Sequence, residues 1–313
     1  MTTNSFSCTR RPVPAGGTPK PASAISYASR ARWLALVVAV PLVSSCFTLT
    51  ADPRALVLQP DGDIRALTLP CPSNAADSRG PRGPDGLDPR TIRVATWNIH
   101  KESDAGWQAD LATLGRDSDI VLLQETTLQP ALRDTLQVAQ LRWVMASSFA
   151  YGGYDNGVLT AARVEPVASC TQRVAEPLLR LPKSAVISWF ALAGSSRTLA
   201  VVNVHAINFT LSIDPYRAQL GAVGDALAAH EGPIVLAGDF NTWSDARRSA
   251  VHELAARLGL AEVKLADDTR TLFLEQPFDH ILVRGLRALA SKVIVVTSSD
   301  HNPVTATLQW TDR

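Results

Sequence analysis

The sequence has no His-Glu-x-x-His or other close His/Cys spacing of the kind that holds zinc. It also shows no internal repeat at a fixed period, which excludes a solenoid or propeller. Basic residues are not in excess where the folded part must lie. The 313 residues carry 30 Lys/Arg against 29 Asp/Glu; the split is 21 against 23 from Arg90 onward and 9 against 6 before it. Non-specific grip on a long polyanion calls for a basic face, so this balance disfavours a strong DNA or RNA binder while leaving room for a small local patch. The apolar run from Trp33 to about Leu49 is interrupted by Pro41 and sits at the short limit for crossing a bilayer. Cysteine is scarce: Cys8, Cys46, Cys71 and Cys170.

The length accommodates one large domain with an N-terminal extension, divided as 1–46, 47–90 and 91–313. In the first part, Arg30-Ala31-Arg32 precedes the apolar stretch Trp33 to Val43, which runs into Ser44-Ser45-Cys46. A charged region, an apolar region and small residues before a cysteine form a targeting segment. Val43-Ser44-Ser45-Cys46 resembles a bacterial lipobox, which makes Cys46 the residue to be lipidated and points to an exported chain anchored in the cell envelope. Secretion with cleavage elsewhere and an uncleaved anchor are the alternatives. With Cys8 removed and Cys46 lipidated, Cys71 and Cys170 are left either to pair in an oxidising compartment or to stand as free thiols.

Residues 54–58 and 64–69 have the pattern of a hairpin about Asp61-Gly62, and Pro72 to Arg90 reads as a flexible linker rich in Pro, Gly, Asp and Ser. The pattern then predicts strands at 91–98, 119–125, 142–147, 157–162, 167–172, 184–192, 198–205, 233–237, 278–283, 292–297 and 304–310. Helices are expected at 104–116, 130–140, 214–230 and from a Ser244 cap to about Gly259. Many strands with few, separated helices indicate an α+β sandwich, two sheets face to face under outer helices.

The run Pro233-Ile234-Val235-Leu236-Ala237 ends in Gly238-Asp239-Phe240-Asn241, which alone reads equally well as a turn or a site. Other strand ends and adjoining loops supply partners: Asn98, Glu125, His205, Asp279, and Asp300 with His301. Carboxylates and amides suit a hard divalent cation, and with two histidines they cover what phosphoester hydrolysis requires: a positioned water, charge neutralisation and directed donors.

Trp97-Asn98-Ile99, Gln124-Glu125, Asn203-Val204-His205, Gly238-Asp239-Phe240-Asn241, Phe278-Asp279-His280-Ile281 and Ser299-Asp300-His301-Asn302-Pro303-Val304 occur in the order typical of the endonuclease/exonuclease/phosphatase superfamily. Residues 91–310 resemble that DNase I-like fold. The segments 179–185 and 205–209 resemble its YafD-like bacterial branch. The resemblance implies a four-layer αββα sandwich with the site at one end of the two sheets, and Mg²⁺ as cofactor, with Mn²⁺ able to substitute. It implies that Glu125 binds the metal with Asn98 and Asp300 beside it. Asp239 would activate the water, Asn241 would orient the phosphate, His205 and His301 would hydrogen-bond phosphoryl oxygens, and Asp279 would hold His301. Arg180, Lys183 and Asn208 are further candidates for contact with substrate, while His100 and His280 read as structural. The implied activity is phosphodiester hydrolysis of the nuclease type. Sphingomyelinase-like phospholipase C action, inositol phosphatase action and a non-catalytic binding protein are the alternatives. The implied partners are a nucleic acid or phospholipid head group as substrate and a membrane through the lipid anchor; no protein partner is implied.

Overall fold

The computed structural model describes residues 47–48, 54–59, 61–71, 86–178 and 180–311; the expected targeting segment with Cys46, and residues 72–85 of the expected linker, lie outside them. In chain order the elements are β1 (Phe47–Thr48), β2 (Arg54–Leu58), β3 (Ile64–Leu67), β4 (Ile92–Asn98), α1 (Trp107–Asp117), β5 (Ile120–Thr127), α2 (Pro130–Val138), β6 (Arg142–Tyr151), β7 (Tyr154–Ala162), β8 (Ala168–Ala175), β9 (Pro182–Ala191) and β10 (Thr198–His205). They continue as α3 (Asp214–Leu227), β11 (Ile234–Asp239), α4 (Asp245–Leu258), β12 (Ala261–Glu262), β13 (Leu272–Phe273), β14 (Gln276–Pro277), β15 (Asp279–Arg284), β16 (Leu286–Val293) and β17 (Val304–Trp310).

One sheet runs β16-β17-β4-β5-β7-β6-β2-β3 with β1 on β6, and a second runs β12-β15-β11-β10-β9-β8. Each contains one parallel pair, β4/β5 and β10/β11, joined by the crossover helices α1 and α3. Parallel strands end at the same edge, so the carboxyl ends of all four bring Asn98, Glu125, His205 and Asp239 to one end of the molecule.

Period-two alternation decides which side each residue faces. On β10 and β11, Ala200, Val202, Val204, Ile234 and Leu236 pack under α3 and α4, while Leu199, Val201, Val235 and Ala237 face the other sheet. On β4 and β5, Ile92, Val94, Ile120 and Leu122 face inward, and Ala95, Trp97, Val121 and Leu123 pack under α1 and α2. Helices, sheet, sheet and helices thus form the four layers expected. Buried amides pin the two sheets to each other: Gln124 Nε2 donates to Asn203 Oδ1 at 2.7 Å, and Asn203 Nδ2 donates to the carbonyls of Leu123 and Leu159.

Several expectations need correction. The strand expected at 292–297 is β16, which starts at Leu286 and ends at Val293; it is an edge strand whose largely exposed residues carry no alternation signal. Helix α1 begins at Trp107, after Gly106 at φ 97°, later than the expected Asp104. Ser244 precedes α4 without a side-chain capping bond. The expected linker does not extend to Arg90: Leu87 is buried and exchanges backbone hydrogen bonds with Ala191 and Ala193. The hairpin expected near Asp61-Gly62 forms, and β2 extends the first sheet through β6. Cys71 and Cys170 are joined in a disulfide, their Cα atoms 4.8 Å apart.

Candidate active site

The inward phase of the strands predetermines most of the site. Asn98, His205, Asp239 and Asp279 share the parity of the residues facing the opposite sheet, so at the strand ends they project into the mouth of the inter-sheet layer. His280, one residue out of phase, faces away, bonded to Thr242 and Glu262. By the same parity Glu125 should point toward α1 and α2. It does not, because the β5/β7 register shifts between Leu123 and Thr126 and Glu125 takes φ 54°, a left-handed conformation uncommon outside glycine. Such an irregularity re-aims one side chain, here the carboxylate, into the site. Gly238, at φ 139°, must be glycine, since a Cβ there would lie 2.0 Å from the Val204 carbonyl oxygen.

Asp239 is held by both oxygens: Asn98 Nδ2 donates to Oδ2 at 3.0 Å and the Asn241 backbone N–H to Oδ1 at 2.9 Å. Asn241 sits at φ 50° with its Nδ2 on the Ala206 carbonyl. His205 Nε2 lies 3.4 Å from Asp239 and 3.6 Å from Glu125, and Lys183 Nζ donates to it at 2.7 Å. An ammonium only donates, so Nε2 carries the lone pair and the ring proton is on Nδ1. Burial, reinforced by the Lys183 charge, holds the His205 pKa down at about 4, which makes it a neutral imidazole. Burial alone would push the Glu125 carboxyl up, yet its neighbours His205, Lys183 and Lys101, the last by a direct hydrogen bond, hold it well below the usual carboxylate range.

The opposing imidazole is in the other state. His301 Nδ1 lies 2.7 Å from Asp279 Oδ2. Burial alone would lower its pKa, but the Asp279 carboxylate raises it to about 10, so the ring is an imidazolium that presents Nε2–H. Phe278 stacks on this ring at 5.5 Å between centroids. Ser299 Oγ donates to the Asn98 carbonyl and accepts the His301 N–H, while Trp97 Nε1 donates to the His301 carbonyl. The loop carrying His301 is thereby tied to the end of β4.

A pocket of about 230 Å³ opens beside Glu125, Lys183, His205 and Asn208, with Lys101 and Phe209 also on its wall. Asn208 accepts from Trp243 Nε1 and its backbone N–H is held by buried Glu176. Asp300 is exposed at the rim, its nearest ionic neighbour His100 at 3.8 Å. Arg180 is exposed and does not line the pocket. Lys101, Ser299 and Glu176 are site residues that sequence reasoning missed. Lys101 bonds Glu125 from a left-handed run, His100–Lys101–Glu102, that has no sequence signature. The Ser299 hydroxyl, directly before Asp300, is the one signal that was readable.

Glu125, Asn98 and Asp300 offer oxygen donors and no thiolate, the chemistry of a hard divalent cation. Among the described residues no three His, Cys, Asp or Glu side chains converge to hold an ion by themselves.

Comparison with known proteins identifies the family and the fold. The Endonuclease/Exonuclease/phosphatase family model matches residues 95–301. A UPF0294 protein of Yersinia pseudotuberculosis is 41% identical over 218 residues, covering 70% of this chain and 84% of that protein. In structure, the human Nocturnin catalytic domain with a bound sulfate anion aligns with TM-score 0.55 at 16% identity, over 74% of this chain and all of that one (100%). A Bacteroides thetaiotaomicron mannosyl-6-phosphatase aligns with TM-score 0.54 at 17% identity, over 70% and 100%. The low identities of the two structures speak for the fold, whereas the family model and the UPF0294 relative fix the lineage. This chain belongs to the endonuclease/exonuclease/phosphatase family.

Proposed function

We propose that the chain hydrolyses a phosphodiester by direct attack of water, assisted by a divalent cation. The observation that carries this is the convergence at one end of the two sheets of Glu125, His205 and Asp239, with His205 Nε2 3.4 Å from Asp239 and 3.6 Å from Glu125, and of His301 held 2.7 Å from Asp279. Asp239, fixed by Asn98 and Asn241, accepts a proton from the attacking water. His301 presents Nε2–H to the phosphate, stabilising developing charge or protonating the leaving oxygen. Lys183 and Lys101 supply further positive charge, and Asn241 is placed to orient the phosphate. A cation held by Glu125, with Asn98 and Asp300 beside it, would neutralise the phosphoryl oxygens.

The direct test is hydrolysis of bis-p-nitrophenyl phosphate with added Mg²⁺ or Mn²⁺. Turnover abolished by chelator and restored by either metal is expected; turnover indifferent to chelator would overturn the metal assignment. The nuclease-type reading, from the superfamily's frequent activity, enters as the DNA and RNA arms of a substrate panel beside phospholipid and inositol phosphate. For location we propose export with lipidation at Cys46. The Cys71–Cys170 bridge supports the export alone, because disulfides persist in oxidising compartments. Fatty-acid labelling should vanish in Cys46→Ser, and its persistence would refute the anchor.

A further inference from the structure

Large apolar side chains that stay exposed concentrate at the catalytic end. The loop 206–213, which leaves the carboxyl end of β10, reads Ala-Ile-Asn-Phe-Thr-Leu-Ser-Ile without one charge. Phe209 and Leu211 on it are 50% and 88% exposed. The β13–β14 hairpin, which enters β15 just before Asp279, holds out Leu272, Phe273 and Leu274 at 51–70%. Leu178, in the turn between β8 and β9 at the same end, is 49% exposed. Strand directions place all three tips around the mouth that holds His205, Asp239 and His301.

These tips are braced against the chemistry. Glu176 Oε1 accepts the N–H groups of Asn208 and Phe209, and buried Arg247 donates to the carbonyls of Ile207 and Asn208. Thr271 Oγ1 donates to the Asp300 carbonyl at 2.8 Å, and Phe273 stacks on Phe278, which stacks on His301. Between the tips, Lys101 and Lys183 face the pocket. A ring of apolar side chains around a pocket in which Lys101 and Lys183 stand beside Glu125 complements a phospholipid surface, with acyl chains outside and the head-group phosphate met by the two ammonium groups inside. A nucleic-acid track calls for a row of cations. Along these tips the exposed charges are Arg180 and Glu275, one of each sign.

We propose that the catalytic end docks on a phospholipid bilayer and that the bond cleaved is a head-group phosphodiester, a substrate assignment that rests on the phosphodiesterase reading of the site. Water oxygen bonds to phosphorus, one ester P–O bond breaks, and the leaving alcohol takes a proton.

The test compares the full chain with Leu211→Ser and with Leu272→Ser/Leu274→Ser, residues away from the pocket, after circular dichroism confirms folding. Co-sedimentation with vesicles of equimolar phosphatidylcholine and phosphatidylglycerol, and phosphate-ester release from them, should fall about tenfold or more. Turnover of soluble bis-p-nitrophenyl phosphate should stay within about twofold, since the altered side chains touch no reacting group. Variants that sediment and hydrolyse vesicles as well as wild type would overturn the proposal, as would a loss confined to oligonucleotide cleavage, which would give the surface to nucleic acid. If wild type turns over no diester at all, the catalytic reading fails, while co-sedimentation still decides the docking.

Discussion

His301 owes its charge chiefly to Asp279, with Asp239 and Asp300 adding to it, and that makes its titration readable. With Asp279 in place its pKa is raised to about 10, so the ring stays protonated as pH rises past the ordinary imidazole range and loses its proton only near pH 10. Asp279→Asn removes the raising charge but keeps the shape. The alkaline limb of kcat should then move down toward the ordinary imidazole range, by a few pH units, in a pH–rate profile; an unmoved limb would mean that another group sets it. Glu102 gives a stability counterpart. Buried, with both oxygens on the Thr127 N–H, it has its pKa raised to about 7 from 4.5. Its contribution is fully present below pH 4.5 and is lost as pH rises through 7, a span worth on the order of 3 kcal/mol. Glu102→Gln should flatten urea-unfolding stability across that window.

At the scale of elements, the buried Gln124–Asn203 pair locks β5 of one sheet against β10 of the other. Asn203→Leu strips donors from two buried carbonyls and the acceptor from Gln124 Nε2, and should cost about 2–3 kcal/mol in chemical denaturation. Much of this architecture was legible in the chain. The largely apolar β10 and β11, each ending in a polar residue, announced their burial and the candidate site at their ends, and parity separates Asp279 from His280. What the pattern could not carry was departure from regularity. Glu125 reaches the site only through a bulge and a positive φ, which no periodicity encodes. Lys101 arrives on a left-handed turn, and β16 lies at an exposed edge where neither face is buried. The function of Lys183 was only half readable: a cation in a loop is usually solvated, and its place beside His205 follows from how β9 starts against β10.

Across the whole molecule, the Cys71–Cys170 bridge fastens the N-terminal segment that follows β3, in the first sheet, to β8 in the second. It closes a loop with a sequence separation of 99 residues. By chain entropy such a closure is worth about 4–5 kcal/mol, so thermal unfolding with reductant, or in Cys71→Ser/Cys170→Ser, should show a clear drop in Tm. The two stacked sheets also explain why the site is assembled as it is: each delivers one parallel pair to the same end, so Glu125, His205 and Asp239 come from three strands, His301 comes from the loop before β17, and they meet only in the folded state. The division of labour among them is the central claim. It is tested most directly by kcat for bis-p-nitrophenyl phosphate, with saturating Mg²⁺, in Asp239→Ala and in His301→Ala. A fall of about 10²–10⁴ in each folded variant is expected; wild-type turnover in either one would contradict the account.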